Sequence, residues 1–449
     1  MSSEAFQLDG GRSLADLSAI DLVASIDRGL LAEETVSAYY MARCRRRQEL
    51  VGAWAYLGSA DDDASRYRRR GRPRPLRGVP IAVKDLSDTA DMPTGYGCAL
   101  YEGYRPAADA ACVAMARAAG ATVLGKSATV EFGATRPCRT RNPRNLSHTP
   151  GGSSSGSAAA VADGQALLAT GTQTGGSIIR PAAFCGIVGF KPSFGALSTA
   201  GTRGYSWSLD TIGVFARDVP DAELFYRVLR GETAAEPGSF YPAAPLKVAR
   251  FVGPFDARAE PYLHRRLDRI ESMLAAGGCV LERIEAAPSF ANTLDWQRTI
   301  SRYEMGRSLA YEWHSWGEQL SEELRAEIAE GMTVPHATYE LAKAEGTTLA
   351  REMAPILGRF DAVLTYATLG EAPQGLASTG DATFNRSWSL LGFPCISLPA
   401  GVGPLGLPVA VQLVGAPQSD SRLLSAARRV EQIIGRSPMG KENRRINPS

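Results

Sequence analysis

The chain has 449 residues, of which 44% are hydrophobic and 21% are charged, and its formal net charge at pH 7 is +2. This composition is typical of a globular protein with a sizeable core. The small net charge lacks the basic bias of a nucleic-acid-binding surface, so no nucleic-acid partner is expected. No uninterrupted apolar run reaches the roughly 18 residues of a membrane-spanning helix, so no membrane partner is expected either.

From the N-terminus onward, helices and strands are predicted to alternate. Apolar residues at helical spacing indicate two helices within 14–48, separated by Gly29, and a mostly apolar run indicates a buried strand over 76–85. Later strands are predicted over 121–125, 166–171, 247–252, 280–284, 362–366, 395–399 and 409–414. Further helices are predicted over 108–119, 155–163, 262–276, 318–330 and 420–434. The alternation predicts a layered α/β architecture with a largely buried sheet.

The whole chain, 1–449, is interpreted as a single large domain. It begins with N-terminal helices over 1–75, continues with a core over 76–215, and ends in a polar tail over 440–449. The stretch 285–358 is predicted to be helical and rich in aromatic residues, which favours a side wall over a separate domain. The seven cysteines are scattered and form no CxxC pair. They indicate neither a disulfide framework nor a metal site, and they favour a reducing, cytoplasmic compartment.

Three segments combine residue types that can perform acyl transfer. The first, 78–85, reads GVPIAVKD and places Lys84 at the end of an apolar strand. The second, 150–162, reads PGGSSSGSAAAVA, and the third, 171–186, reads GTQTGGSIIRPAAFCG. In the third segment the Gly-Gly-Ser sequence ending at Ser177 is predicted to open a helix. Backbone N–H groups at a helix start have no partner within the helix, so they can stabilise an oxyanion beside the serine.

Taken singly, each segment also has a structural explanation. Lys84 alone is explained by a side chain that reaches solvent or pairs with Asp85, and the Gly-Gly-Ser turn alone by a helix N-cap. A desolvated lysine, by contrast, has a lowered pKa and can act as a general base near neutral pH. The combination of all three segments favours catalysis.

The combined pattern resembles the amidase-signature family. The likeness runs from the N-terminal helices to Leu424, and it is carried by the motifs 78–85, 149–192, 208–213 and 406–415. The resemblance implies the family's fold, a large layered α/β domain whose central mixed β-sheet is covered by helices on both faces. It also implies an amidohydrolase that cleaves the C–N bond of a small amide, giving a carboxylate and ammonia or an amine. Such an enzyme needs no cofactor, and a homodimer would be usual for the family.

The resemblance further implies the roles of individual residues. Ser177 would be the nucleophile that forms the acyl-enzyme, and Ser153 would connect it to Lys84. The peptide between Gly152 and Ser153 would be cis, and Ser154 would support the network by hydrogen bonding. The oxyanion hole would consist of four consecutive backbone N–H groups, those of Thr174, Gly175, Gly176 and Ser177.

Two positions depart from the commonest form of the family. Gln173 stands where most members have Asp, and an arginine, Arg180, lies three residues after Ser177 rather than two. This variant resembles the malonamidase branch, in which the equivalent arginine binds a substrate carboxylate. A guanidinium fork suits such bidentate recognition. Arg180 therefore either binds a carboxylate of the substrate or pairs with a nearby acid or carbonyl of the protein.

Family position also suggests Tyr96, Tyr205 and Trp207 as substrate-binding residues, although aromatic side chains at these places are equally explained as core. Other readings stay open. Residues 120–127 match a P-loop pattern, but a strand is predicted where the phosphate loop should be. Ser154 lies in a GxSxG sequence, but that nucleophile elbow needs a preceding strand. The chain could also be the amidase component of a tRNA-dependent amidotransferase, or could hydrolyse hydrazides, ureides or esters.

Overall fold

The computed structural model describes residues 14–58, 73–134, 136–232 and 245–435. These contain eleven strands that form one sheet. The strands are β1 Trp54–Leu57, β2 Pro80–Lys84, β3 Thr122–Ser127, β4 Leu168–Gln173, β5 Val188–Lys191, β6 Thr211–Ala216, β7 Lys247–Val252, β8 Val280–Glu285, β9 Ala362–Tyr366, β10 Cys395–Val402 and β11 Pro408–Val414. Their order across the sheet is β1-β3-β2-β4-β6-β5-β10-β11-β9-β7-β8.

The described α-helices connect and flank these strands. They are α1 Ala19–Asp27, α2 Glu33–Val51, α3 Ala111–Ala118, α4 Ser155–Ala162, α5 Ile179–Cys185, α6 Val219–Leu229, α7 Pro261–Ala276, α8 Thr293–Ser308, α9 Ala310–Trp316, α10 Glu322–Thr333, α11 His336–Leu357, α12 Thr383–Leu390 and α13 Asp420–Gly435. No helix in the described ranges is long and apolar enough to cross a membrane.

The sheet is mixed, and its parallel part positions the site. Strand β2 runs parallel to both β3 and β4, whereas β4 and β6 are antiparallel. Because parallel strands end at the same edge of a sheet, the carboxyl ends of β2 and β4 lie side by side. The backbone N–H of Lys84 donates to Oγ1 of Thr170 at 3.0 Å. Lys84 at the end of β2 is thereby brought next to the last residues of β4.

Apolar side chains cover both faces of the sheet. Successive residues of a strand point to opposite faces, and in β11 Val411 and Leu413 belong to one buried cluster while Ala410 and Val414 belong to another. Helices α1, α3, α6 and α13 contribute to the first cluster, and α5, α11 and α12 contribute to the second. This arrangement confirms the predicted α/β class, a central mixed sheet flanked by helices.

Several predicted boundaries differ from the structure. The helix expected to open at Gly175 begins at Ile179, and β1, β5 and β6 were not predicted as strands. Two of these missed strands, β5 and β6, contain a glycine, a residue with low strand propensity. In β6 a Cβ on Gly213 would lie 2.2 Å from the carbonyl oxygen of Phe190, so only glycine fits there. The predicted polar tail 440–449 lies outside the described residues, as do parts of the N-terminal segment 1–75.

Candidate active site

Lys84 and Ser153 are in direct contact. The lysine Nζ donates to Oγ of Ser153 at 2.8 Å and to Oγ1 of Thr172 at 2.7 Å. The peptide between Gly152 and Ser153 is cis, as the family resemblance implied. The structure therefore joins two of the three predicted catalytic side chains, and it adds Thr172, which the sequence analysis did not single out.

Lys84 is completely buried. Neither of the structural explanations offered by the sequence applies, because the side chain does not reach solvent and Asp85 instead pairs with Lys126 at 3.3 Å. No carboxylate of the described residues lies within ion-pair distance of Lys84. Burial lowers its pKa to about 7, and the negative charge of Asp210 opposes this shift. A lysine with a pKa near 7 is about half unprotonated at neutral pH, so a substantial fraction of Lys84 can accept a proton.

The turn 174–177 presents unpaired backbone donors. Among the described residues, the N–H groups of Gly175, Gly176 and Ser177 donate to no acceptor. The carbonyl oxygens on the other side of the turn are occupied. Gln297 Nε2 donates to the oxygen of Thr174 at 3.3 Å, and Ser389 Oγ donates to that of Gly175 at 2.7 Å. Holding the carbonyls fixes the peptide planes, and the free N–H groups are those needed for an oxyanion hole.

Gln173 organises the same turn from its start. Its Oε1 accepts hydrogen bonds from the backbone N–H of Ile178 at 2.8 Å and of Ile179 at 3.0 Å, so it caps the beginning of α5. Its Nε2 donates to Oγ of Ser389 at 2.9 Å. The amide of Gln173 therefore uses both of its ends, as acceptor and donor, which a carboxylate at this position could do only if protonated.

The two candidate serines at the centre differ in their contacts. Ser177 lies just before α5 and is 8% exposed, whereas Ser153 is 2% exposed. Within the described chain, no hydrogen bond joins Ser153 to Ser177. Ser154 is fully buried, and its Oγ donates to the carbonyl of Thr172 and accepts from the same residue's N–H, both at 3.3 Å. It therefore ties the cis-peptide segment to β4.

Arg180 is held by the protein itself. Its Nη2 donates to the carbonyl oxygen of Gly152 at 2.6 Å, and its Nη1 donates to that of Gly380. Burial, followed by the like charge of Arg386, lowers the pKa of Arg180 to about 10. The guanidinium thus bonds to the carbonyl of the cis peptide, which is the protein-bound alternative that the sequence left open.

A cavity of about 200 Å³ adjoins these residues. Thr172, Thr174 and Gly133 line it, and a Cβ on Gly133 would lie 3.6 Å from Oγ of Ser153. Tyr205 and Trp207 also line the cavity, and Trp207 is 53% exposed. These two aromatic residues therefore border the same cavity as Thr172 and Thr174, and their role in substrate binding stays a prediction.

Two further residues show where the sequence analysis was incomplete. Tyr96 is not among the residues that line this cavity; it is buried and donates its hydroxyl to Asp88 at 2.8 Å, and its role in substrate binding stays a prediction. Asp210 was not singled out, yet it lines the cavity and accepts a hydrogen bond from Oγ1 of Thr174. Burial raises the pKa of Asp210 to about 6.

The alternative motifs do not form the sites that their patterns suggested. Gly125, Lys126 and Ser127 lie inside β3, and Lys126 is buried and donates to Thr94 at 2.5 Å, so no phosphate loop forms. In the described chain no strand directly precedes Ser154, so the GxSxG sequence does not make a nucleophile elbow. Among the described residues, no group of three or more His, Cys, Asp or Glu could hold a metal ion.

Comparison with known proteins agrees with this geometry. Residues 34–424 match the family model described as amidase. The A-type subunit of the glutamyl-tRNA(Gln) amidotransferase of Anaeromyxobacter dehalogenans is 32% identical to this chain, and the alignment covers 95% of each protein. Its name refers to a tRNA, which conflicts with the expectation that nucleic acid plays no part.

Solved structures share the fold over nearly their whole length. The peptide amidase of Stenotrophomonas maltophilia superposes with a TM-score of 0.78 at 28% identity, covering 95% of this chain and 98% of the other. The A-type subunit of the glutamyl-tRNA(Gln) amidotransferase of Thermotoga maritima superposes with a TM-score of 0.77 at 26% identity, covering 94% of this chain and 95% of the other. One of these neighbours is named as an amidase and the other as part of an amidotransferase.

Proposed function

The chain belongs to the amidase family and is a hydrolase of amide C–N bonds, and we propose that it cleaves a small amide through an acyl-enzyme on Ser177. The observation that carries this proposal is the fully buried Lys84, which has no carboxylate partner within ion-pair distance among the described residues and donates to Ser153. A lysine whose pKa is lowered towards neutrality by burial is suited to accept a proton.

The proposed reaction begins with a proton relay. As Oγ of Ser177 attacks the amide carbon, its proton moves to Ser153, whose own proton moves to the neutral amine of Lys84. The hydrogen bond between Lys84 and Ser153 is already formed, and the one between Ser153 and Ser177 must form when substrate binds. The relay then runs in reverse and protonates the leaving nitrogen, and water hydrolyses the acyl-enzyme to a carboxylate.

Negative charge on the substrate oxygen would be stabilised by the turn 174–177. The N–H groups of Thr174, Gly175, Gly176 and Ser177 are proposed as its donors. Gln297 and Ser389 support this role because they fix the carbonyls of the same peptides on the opposite side. Donors that are oriented before the reaction stabilise the transition state without reorganising during it.

A direct assay tests the proposed function. The purified chain is expected to release ammonia from at least one member of a panel of small amides, with and without a carboxylate, and to do so without added protein. Hydrazides, ureides and esters belong in the same panel, because the machinery could cleave them too. No turnover of any member by the folded chain alone would contradict the proposal of a free-standing hydrolase.

The pH dependence of kcat/KM tests the role of Lys84. Because the unprotonated amine is the active form, kcat/KM should fall about tenfold for each pH unit below the pKa of about 7 and level off above it. An acid limb centred near the ordinary lysine pKa of about 10.4, or no limb between pH 5 and 9, would contradict this role.

Asp210 provides the control for that profile, because its own pKa is raised to about 6. In Asp210→Asn the acid limb should persist if Lys84 causes it. The limb should also move to lower pH, since the carboxylate charge of Asp210 raises the pKa of Lys84. Loss of the limb in this variant would assign it to Asp210 instead.

The more specific, malonamidase-like proposal is that the substrate carries a carboxylate near the scissile amide. Gln173 and the spacing from Ser177 to Arg180 support it. The contacts of Arg180 with two backbone carbonyls limit its direct part in such recognition, although its Nε has no hydrogen-bond partner in the described chain.

A second candidate function is that of the amidase component in a tRNA-dependent amidotransferase. The 32% identity to a protein of that name over nearly the whole chain favours it. Ammonia release by the chain alone, at a rate unaffected by tRNA, would favour the free-standing hydrolase. Activity that appears only with partner proteins and tRNA would favour the amidotransferase role.

A further inference from the structure

Among the described residues, Arg386 is a cation without a hydrogen-bond or ion-pair partner beside the catalytic turn. It lies on α12 and is half-buried. A Cβ on Gly175 would lie 3.4 Å from Cγ and 3.9 Å from Nε of Arg386, so the arginine side chain packs against Gly175.

The charges around Arg386 are unbalanced. Arg180 is near enough for its pKa to be lowered by the charge of Arg386, and Nε of Arg180 is buried without an acceptor among the described residues. The nearby carboxylate is Asp381, whose pKa the charge of Arg386 helps to lower.

Asp381 is already engaged by other groups. It pairs with Arg258 at 3.0 Å and accepts two hydrogen bonds from Thr383, each of 2.6 Å. Among the described residues, the carboxylate of Asp381 therefore interacts with the charges of three guanidinium groups, those of Arg180, Arg258 and Arg386. An anion placed between Arg180 and Arg386 would relieve the repulsion between them and satisfy donors that the protein leaves unpaired.

We propose that Arg386 determines specificity by binding an anionic group of the substrate, a carboxylate, beside Gly175. The inference rests on the proposed function and assigns the cationic contact to a residue far from the signature motif in sequence. Arg180 is held by the carbonyls of Gly152 and Gly380, so it would attract the carboxylate through its positive charge. Arg386 would donate the hydrogen bonds. The carboxylate is placed beside Gly175, where the side chain of Arg386 approaches the turn.

The test compares two amides of similar shape, succinamate and the uncharged butyramide. Arg386→Met keeps the Cγ that packs against Gly175 and removes the charge. It should lower kcat/KM for succinamate by about tenfold or more, the usual loss for a charged hydrogen-bonded contact, and leave butyramide within about twofold. Arg386→Lys should restore part of the activity on succinamate. Equal losses on both amides, or no loss on succinamate, would overturn the proposal.

Arg258→Met is the matched control. It removes a charge that lies near the same Asp381 but is about half-exposed and already paired. Its kcat/KM for both amides should stay within about twofold of the native value. If Arg258→Met lowered kcat/KM for succinamate as much as Arg386→Met does, the loss would reflect the general electrostatic field and would contradict a direct contact with Arg386.

A binding measurement separates this proposal from the proposed function. Succinate binding to Ser177→Ala is measured by calorimetry, with and without Arg386→Met, so that no turnover is needed. Binding that weakens about tenfold in the double variant supports the subsite even if no amide in the panel is hydrolysed. Equal binding in both proteins overturns the subsite even if hydrolysis through Ser177 is established.

Discussion

Replacing Ser177 by alanine is expected to lower kcat/KM for every amide substrate by about 10⁴-fold or more, because the attacking oxygen is removed. The free energy of unfolding should change little, since Oγ of Ser177 makes no hydrogen bond with a described residue. Rates are measured by ammonia release, and folding by circular dichroism and thermal unfolding. Activity within tenfold of the native value would contradict the nucleophile assignment.

Ser154→Ala is the comparison that separates the two serine motifs. Ser154 is buried and bonded to the backbone of Thr172, so its loss should reduce activity far less than loss of Ser177. A sulfonyl fluoride should label the native protein at Ser177, as mapped by mass spectrometry of its peptides. Inactivity of Ser154→Ala together with activity of Ser177→Ala would favour the GxSxG alternative.

Replacing Lys84 by methionine is expected to lower kcat/KM by about 10³-fold, within the range of a lost general base. Methionine fills much of the same space without a titratable group. The free energy of unfolding of this variant should not fall along with its activity. Below its unfolded pKa of about 10.4, a lysine that folding deprotonates destabilises the folded state, and the effect grows as the pH decreases. The variant should therefore unfold at the native temperature or above it at pH 7, with the difference shrinking towards pH 10.

Lys126→Met is the matched control, because Lys126 is a second completely buried lysine on the neighbouring strand. Its ammonium pairs with Asp85, so its removal leaves a buried carboxylate unpaired and should cost about 3–5 kcal/mol of stability. The folded fraction should keep its activity. The proposed base would be contradicted if Lys84→Met stayed active, or if its loss of activity only followed a loss of stability.

Lys84 and Lys126 show what a sequence pattern can and cannot predict about the role of a buried lysine. Both lysines lie at the ends of apolar strands, and pattern alone allows either to be catalytic or structural. The tertiary structure distinguishes them through their partners: Asp85 for Lys126, and two hydroxyl groups for Lys84. Which of these two buried lysines has a carboxylate partner depends on a neighbour that the local sequence does not identify.

The family, the α/β class and the motifs that hold Lys84, Ser153 and Ser177 could be predicted from the amino-acid sequence alone. The prediction was possible because each turn around the two serines is formed by consecutive residues. The types of these residues restrict the backbone conformations that the turn can adopt. The alternation of apolar runs likewise predicted most strands and helices. It missed β1, and it also missed β5 and β6, where glycine permits a close packing approach that only the assembled sheet reveals.

The residues that surround those motifs could be identified only from the tertiary structure. Gln297 lies 123 residues from the Thr174 carbonyl that it binds, and Ser389 lies 214 residues from Gly175. The guanidinium of Arg180 donates to the carbonyls of Gly152 and Gly380, and the hydroxyl of Tyr96 donates to Asp88. A side chain's partner is set by which distant segments pack beside it, and that information is present only once the sheet and its helices are assembled.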